Sequence, residues 1–181
     1  MSNVRIGALT AAAVFLIVVS GCGESSPRTQ SPAPNANVSR APEPLSPLAK
    51  ARQALGASVH SGLAVGDAKV RSVSRAGSLL YIILSTPEGG FQGPSTDDAD
   101  ALASAAFAKV YPTGWNGPAT VQFRGGLQSS ATGKALPNAA AFTYRMTPGR
   151  AKQIDWSDED TLYSIDWGLY RTFCHPAFKG C

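Results

Sequence analysis

Residues 23–47, GESSPRTQSPAPNANVSRAPEPLSP, hold six prolines, five serines and no aromatic side chain. This tract limits what the chain can fold into more than any other feature. Proline withdraws backbone donors, and a stretch with so little apolar surface cannot offset the entropy of ordering it. Of the 181 residues, 48–181 are therefore the part expected to build a core, enough for one domain. The tract is expected to act as a tether, reaching on the order of 75 Å if it is polyproline-like at ~3.1 Å per residue. Its Ser/Thr and Pro content suits O-glycosylation, and Asn37-Val38-Ser39 is formally an N-glycosylation sequon.

The segment before the tether has its own logic. Arg5 follows closely on the amino terminus, and Ile6 to Ser20 carry no charge. That is the n-region and h-region pattern of an export signal, and it is short of the ~20 apolar residues of a membrane span. The run ends in Val19-Ser20-Gly21-Cys22. This tetrad resembles the lipobox of bacterial lipoproteins, with Val19 in place of the more frequent leucine. The resemblance implies cleavage before Cys22, a thioether-linked diacylglycerol on Cys22 and acylation of the new amino terminus. Residues 1–21 would then be a cleaved signal peptide, and 22–47 the lipidated cysteine and tether. Residues 48–181 would form a globular domain on the extracytoplasmic face of the cell membrane. Two or more acyl chains give durable anchoring where one gives only marginal binding.

The formal charge is +4 with a pI near 9.1, and the basic residues are scattered. Nucleic-acid binders concentrate basic residues in a patch or run, so nucleic acid is not an expected partner. Loss of residues 1–21 removes one Arg and no acid, leaving 15 − 12 = +3, which does not oppose an anionic membrane surface.

Within 48–181 the periodicities predict an α+β domain. Ser46-Pro47 reads as an N-cap with proline at the first helical position. Leu48, Ala51, Ala54, Leu55 and Val59 recur at helical spacing, predicting a helix that ends near Gly62. Two strands follow around the turn Arg75-Ala76-Gly77-Ser78. The second, running from Leu79 to Leu84, is apolar on both faces and is expected at the centre of the sheet. A helix is predicted over PSTDDADALASAAFAKVYP, capped by Ser95 or Thr96, with three aspartates in its first turn. Alternation at Ala119, Val121 and Phe123, and again at Phe142, Tyr144 and Met146, predicts two half-buried strands. The expected order is α-β-β-α-β-β-α, with about four strands in a mixed or antiparallel sheet covered by helices.

The aromatic C-terminus, DWSDEDTLYSIDWGLYRTFCHPAFKGC, fits two readings. As a helix capped by Ser157, it places Leu162, Ile165, Leu169 and Phe173 on one stripe and Tyr163, Trp167, Tyr170 and Cys174 on another. As a strand, Tyr163, Ile165, Trp167 and Leu169 alternate with Ser164, Asp166 and Gly168. The capping signal favours the helix, while Gly168 opposes it by ~1 kcal/mol relative to alanine. The helix would set Asp166 between two apolar stripes, where a buried carboxylate needs a partner such as an Arg, a Tyr hydroxyl or a Trp indole. With Cys22 assigned to lipid, Cys174 and Cys181 form an even pair. In an oxidising compartment they are expected to join, closing the loop CHPAFKGC for roughly 2.5 kcal/mol of loop entropy.

The chain offers little chemistry. GLQSSATGKA has the wrong spacing for a phosphate loop and places Ala135 where Ser or Thr should hold magnesium. There is no GxSxG, HExxH or EF-hand spacing. His60 stands beside Ser58 and Ser61, but a Ser-His arrangement needs three-dimensional geometry and an orienting acid. A cysteine pair with His175 lacks a fourth zinc ligand nearby. No catalytic residue, metal or cofactor is expected. Phe91 and Trp115, in glycine-flanked loops, and Asp166 with Trp167 are the candidate binding residues. The expectation is a membrane-anchored, non-catalytic interaction or envelope-maintenance module. A carrier or sensor of a lipid or other envelope ligand, held between sheet and helices, is the alternative. A cell-envelope hydrolase is a third possibility and would need convergent Asp, His and Ser side chains.

Overall fold

A computed structural model describes residues 43–64, 66–87, 96–178 and 181. The segment read as a signal peptide, Cys22, most of the expected tether and Phe91 lie outside the described residues. Pro42–Cys181 forms a compact unit.

Helix α1 spans Pro47–Leu55 and begins as its cap sequence dictates, the Ser46 hydroxyl accepting from the Ala49 amide at 3.2 Å. It stops earlier than the expected end near Gly62, because Gly56 turns at φ 65° and donates back to the Arg52 carbonyl. Val59 therefore leaves the helix and pairs as part of a two-residue strand, β1 (Ser58–Val59). The hairpin of β2 (Ala68–Ala76) and β3 (Leu79–Ser85) turns through Gly77 at φ 59°, at the expected place. Helix α2 (Asp97–Val110) carries Asp97, Asp98 and Asp100 in its first turn. Then come β4 (Ala119–Arg124), β5 (Ala140–Met146), the short helices α3 (Pro148–Ala151) and α4 (Glu159–Ser164), and β6 (Arg171–Cys174).

The sheet has six strands in chain order, β1 to β6, rather than about four. Every pair is antiparallel except β3–β4. A parallel pair cannot be joined by a tight turn, and α2 supplies the crossover. The doubly apolar strand β3 lies mid-sheet as expected. The two strands beyond the expected number are those with the weakest periodicity: β1 is too short to alternate, and β6 lies in the ambiguous aromatic segment.

The aromatic segment is neither one helix nor one strand. Asp158, not Ser157, caps α4, accepting from the Asp160 amide at 3.1 Å. Ile165 turns extended, at ψ 127°, and stops the helix. The Asp166 carboxylate then accepts from the Gly168 amide at 3.0 Å and opens a 3-10 turn over Trp167–Tyr170, after which the chain pairs with β5. Cys174 and Cys181 are disulfide-bonded, with Cα atoms 5.4 Å apart. The loop they close sets Phe178 against Phe142, ring centroids 4.6 Å apart.

The core lies between one sheet face and the two longer helices. Leu80, Ile82 and Leu84, then Val121 and Phe123, then Phe142, Tyr144 and Met146 are fully buried on the inner face. From α1 come Ala51 and Leu55, and from α2 Leu102, Ala106, Phe107 and Val110. Alanines at 99, 103 and 106 let α2 lie close to the sheet. These side chains occupy the space where the alternative, carrier reading would hold a ligand. Close approach also constrains the loop before β4, where a Cβ at Gly117 would run into the Ser78 carbonyl oxygen.

Candidate functional site

Helix α2 buries Ala99, Leu102, Ala103, Ala106, Phe107 and Val110. Beside these, Asp97, Ala101 and Ala105 run along one i, i+4 row, with Asp100, the buried Ser104 and Ala108 along the next. These two rows floor an open groove of about 570 Å3. One wall is the turn from His60 to Leu63, which follows β1. The other is α4 with the segment after it, contributing Leu162, Tyr163, Ile165 and Trp167. This wall rests on α2 through a stack in which the Trp167 ring lies 6.0 Å from that of Phe107, nearly parallel. The Trp167 indole donates to the Leu162 carbonyl at 3.0 Å, fixing the wall.

Charge is uneven around this groove. Asp97, Asp100, Glu159 and Asp166 line it against Lys109 and His60. Asp100 is the most organised of the four. Tyr144, fully buried on β5, donates its hydroxyl to one carboxylate oxygen at 2.6 Å. Arg171 at the start of β6 reaches the other oxygen at 3.3 Å, and Thr96 approaches that oxygen at 3.5 Å. The Asp100 side chain is only 19% exposed. Burial raises its pKa above the ordinary 3.8, and the Tyr144 and Arg171 contacts offset part of that rise. Burial, then the adjacent carboxylate, pushes the Tyr144 hydroxyl far up, so it stays a donor. Arg171 Nε is buried with no hydrogen-bond acceptor.

The carboxylate partnered by an Arg and a Tyr hydroxyl, expected for Asp166, is thus found at Asp100. Asp166 itself is exposed and serves as a cap, though it lines the groove rim beside Trp167. Trp115 is buried elsewhere, its indole donating to the Pro118 carbonyl at 3.2 Å with the Arg75 guanidinium 5.8 Å from its ring centroid. It borders a separate hollow of about 270 Å3 with Tyr111 and Trp156. The structure therefore brings Asp166 and Trp167 together and leaves Trp115 apart. Sequence reasoning missed Asp100, Tyr144 and Arg171 as a unit. Their separations of 44 and 71 residues leave no local pattern to read.

His60 does have an orienting acid, Asp67, with Nδ1 and Oδ1 2.7 Å apart. The pair is 70% and 50% exposed at the groove's edge, and among the described residues no hydroxyl is hydrogen-bonded to His60. A nucleophile-and-base unit needs that bond. No group of three or more His, Cys, Asp or Glu able to hold a metal occurs among the described residues. The groove offers small-residue floor, aromatic wall and negative rim, with one carboxylate held in place. Comparison of the chain with protein-family models, curated proteins and solved structures gave no match, so the reading rests on this geometry.

Proposed function

We propose that the protein is a lipid-anchored extracytoplasmic interaction module that takes its partner in the groove beside α2. The signal-like segment and the lipobox-like Val19-Ser20-Gly21-Cys22 support the anchor. The observation that carries the binding reading is the groove's preorganised floor: a carboxylate fixed from two sides by Tyr144 and Arg171, beside accessible alanines. Fixed polar groups within apolar surface give orientation at low entropic cost. Ala101, Ala105 and Ala108 keep the floor shallow enough for a segment of a partner to lie close, and the acidic rim favours one with basic side chains.

A carrier or sensor of an envelope ligand is the second reading. The groove volume falls in the range of small-molecule sites, although it lies outside the sheet–helix core. One experiment separates the two. A photoreactive benzophenone residue at Ala105 of the full chain, irradiated in cells of its native host, is expected to give a discrete protein adduct. The same residue at Gln153, away from the groove, is expected to give none. A lipid or small-molecule adduct identified by mass spectrometry would favour the carrier. Absence of any groove-specific adduct would refute binding there.

A further inference from the structure

We propose that the uncovered face of the sheet docks on an anionic lipid bilayer, leaving the acidic groove turned away from the membrane. The observation is a separation of charge across the fold. Lys69, Arg71, Arg124 and Arg145 lie in the described strands, which carry no carboxylate; the other two strand cations, Arg75 and Arg171, pair with the inward-facing Leu80 and Tyr144, and Arg171 is held by Asp100. The carboxylates of α2, and those of residues 155–166, are on or beside the helices.

Register assigns the faces. Tyr81 pairs with Thr120 and Thr120 with Arg145, so these three share one side of the sheet. Ile83, Gln122, Thr143 and Phe173 form the next row on that side, and Ser85 pairs with Arg124 beyond it. The intervening residues Leu80, Ile82, Val121 and Tyr144 point into the core. The outer face is thus polar and cationic, with two accessible aromatics: Tyr81 is 39% exposed and Phe173 43%. A sheet with one solvated face is ordinary; arginines and aromatics with no acid among the described residues of that face are what a headgroup region selects. Basic groups meet the phosphates, and amphipathic rings sit at the interface. The tether, ~75 Å when extended, ends at Pro47 of α1 and is long enough to let the domain lie on either face. Charge then decides which. The orientation rests on the anchoring reading, but the surface affinity does not.

The test uses the chain from Cys22 with Cys22→Ser, so that no acyl chain contributes. It is expected to sediment with phosphatidylglycerol–phosphatidylcholine vesicles, to stay in solution with phosphatidylcholine alone, and to be released by salt. Each basic side chain at an anionic surface is worth about fivefold in affinity. Arg145→Gln, at an exposed position, is expected to weaken binding about fivefold, and Arg124→Gln with Arg145→Gln roughly 25-fold. Lys50→Gln with Lys152→Gln changes the net charge equally on α1 and after α3 and is expected to stay within about twofold, since neither belongs to the outer face. An equal loss in this control, binding that ignores the anionic lipid, or tighter binding to soluble polyphosphate at equal charge would overturn the proposal. None of these outcomes bears on whether Cys22 carries lipid.

Discussion

Replacing Tyr144 by phenylalanine removes one hydroxyl from a fully buried side chain and leaves its ring packing, including the edge-on contact with Phe123 at 6.1 Å, in place. What is lost is a 2.6 Å hydrogen bond to the Asp100 carboxylate. Hydrogen bonds to charged groups contribute about 1.5–3 kcal/mol. Asp100 keeps Arg171 at 3.3 Å and is 19% exposed, so water replaces part of the loss. That sets the expected cost at about 1–2 kcal/mol. For a domain of this size, it lowers Tm by about 3–8 °C. Urea unfolding of wild type, Tyr144→Phe, Asp100→Asn and the double variant measures the coupling, expected to be ~1–2 kcal/mol. The cost should shrink as pH falls, because the bond is strongest to the ionised carboxylate. A Tyr144→Phe variant within about 0.3 kcal/mol of wild type near neutral pH, with additive effects in the cycle, would refute the fixed-carboxylate account of the groove.

Asp100 also predicts a pH slope. Its folded pKa lies above 3.8, so between that value and the folded one the native state retains a proton that the unfolded state has lost. Stability therefore falls as pH rises through that window, and Asp100→Asn should remove this component from thermal melts; an unchanged slope contradicts it. Replacing both Cys174 and Cys181 by serine should cost roughly 2.5 kcal/mol in non-reducing urea titrations, and no difference between oxidised wild type and the variant would count against the structural bond. Gly117→Ala should destabilise by about 1–3 kcal/mol because the new methyl meets the Ser78 carbonyl; a neutral effect on the melting midpoint would show that the 115–118 loop moves aside.

What the sequence made legible follows from range. The α1 cap, the β2–β3 hairpin and the alternating β4 and β5 are encoded by residues a few positions apart, and all were readable. So was the cysteine pair, seven residues apart, once Cys22 was set aside. Strand β1 was hidden inside a helical pattern because Val59 falls at helical spacing from Leu55, while Gly56 breaks the helix between them. The aromatic segment misled for the converse reason: its acids do cap a helix, but only six residues of one. Asp166 starts a new turn two residues after that helix ends. Of the groove only Asp166 and Trp167 were readable; Asp100 acquires its partners from β5 and β6 only when the sheet forms.

The most direct measurement is the mass of the protein and of its N-terminal peptide, taken from native membranes in detergent. The account predicts a chain that begins at Cys22 and carries diacylglycerol, and a Cys22→Ala variant that is neither labelled by fatty acid nor normally processed. A chain that retains residues 1–21, or a Cys22 without lipid, would contradict it.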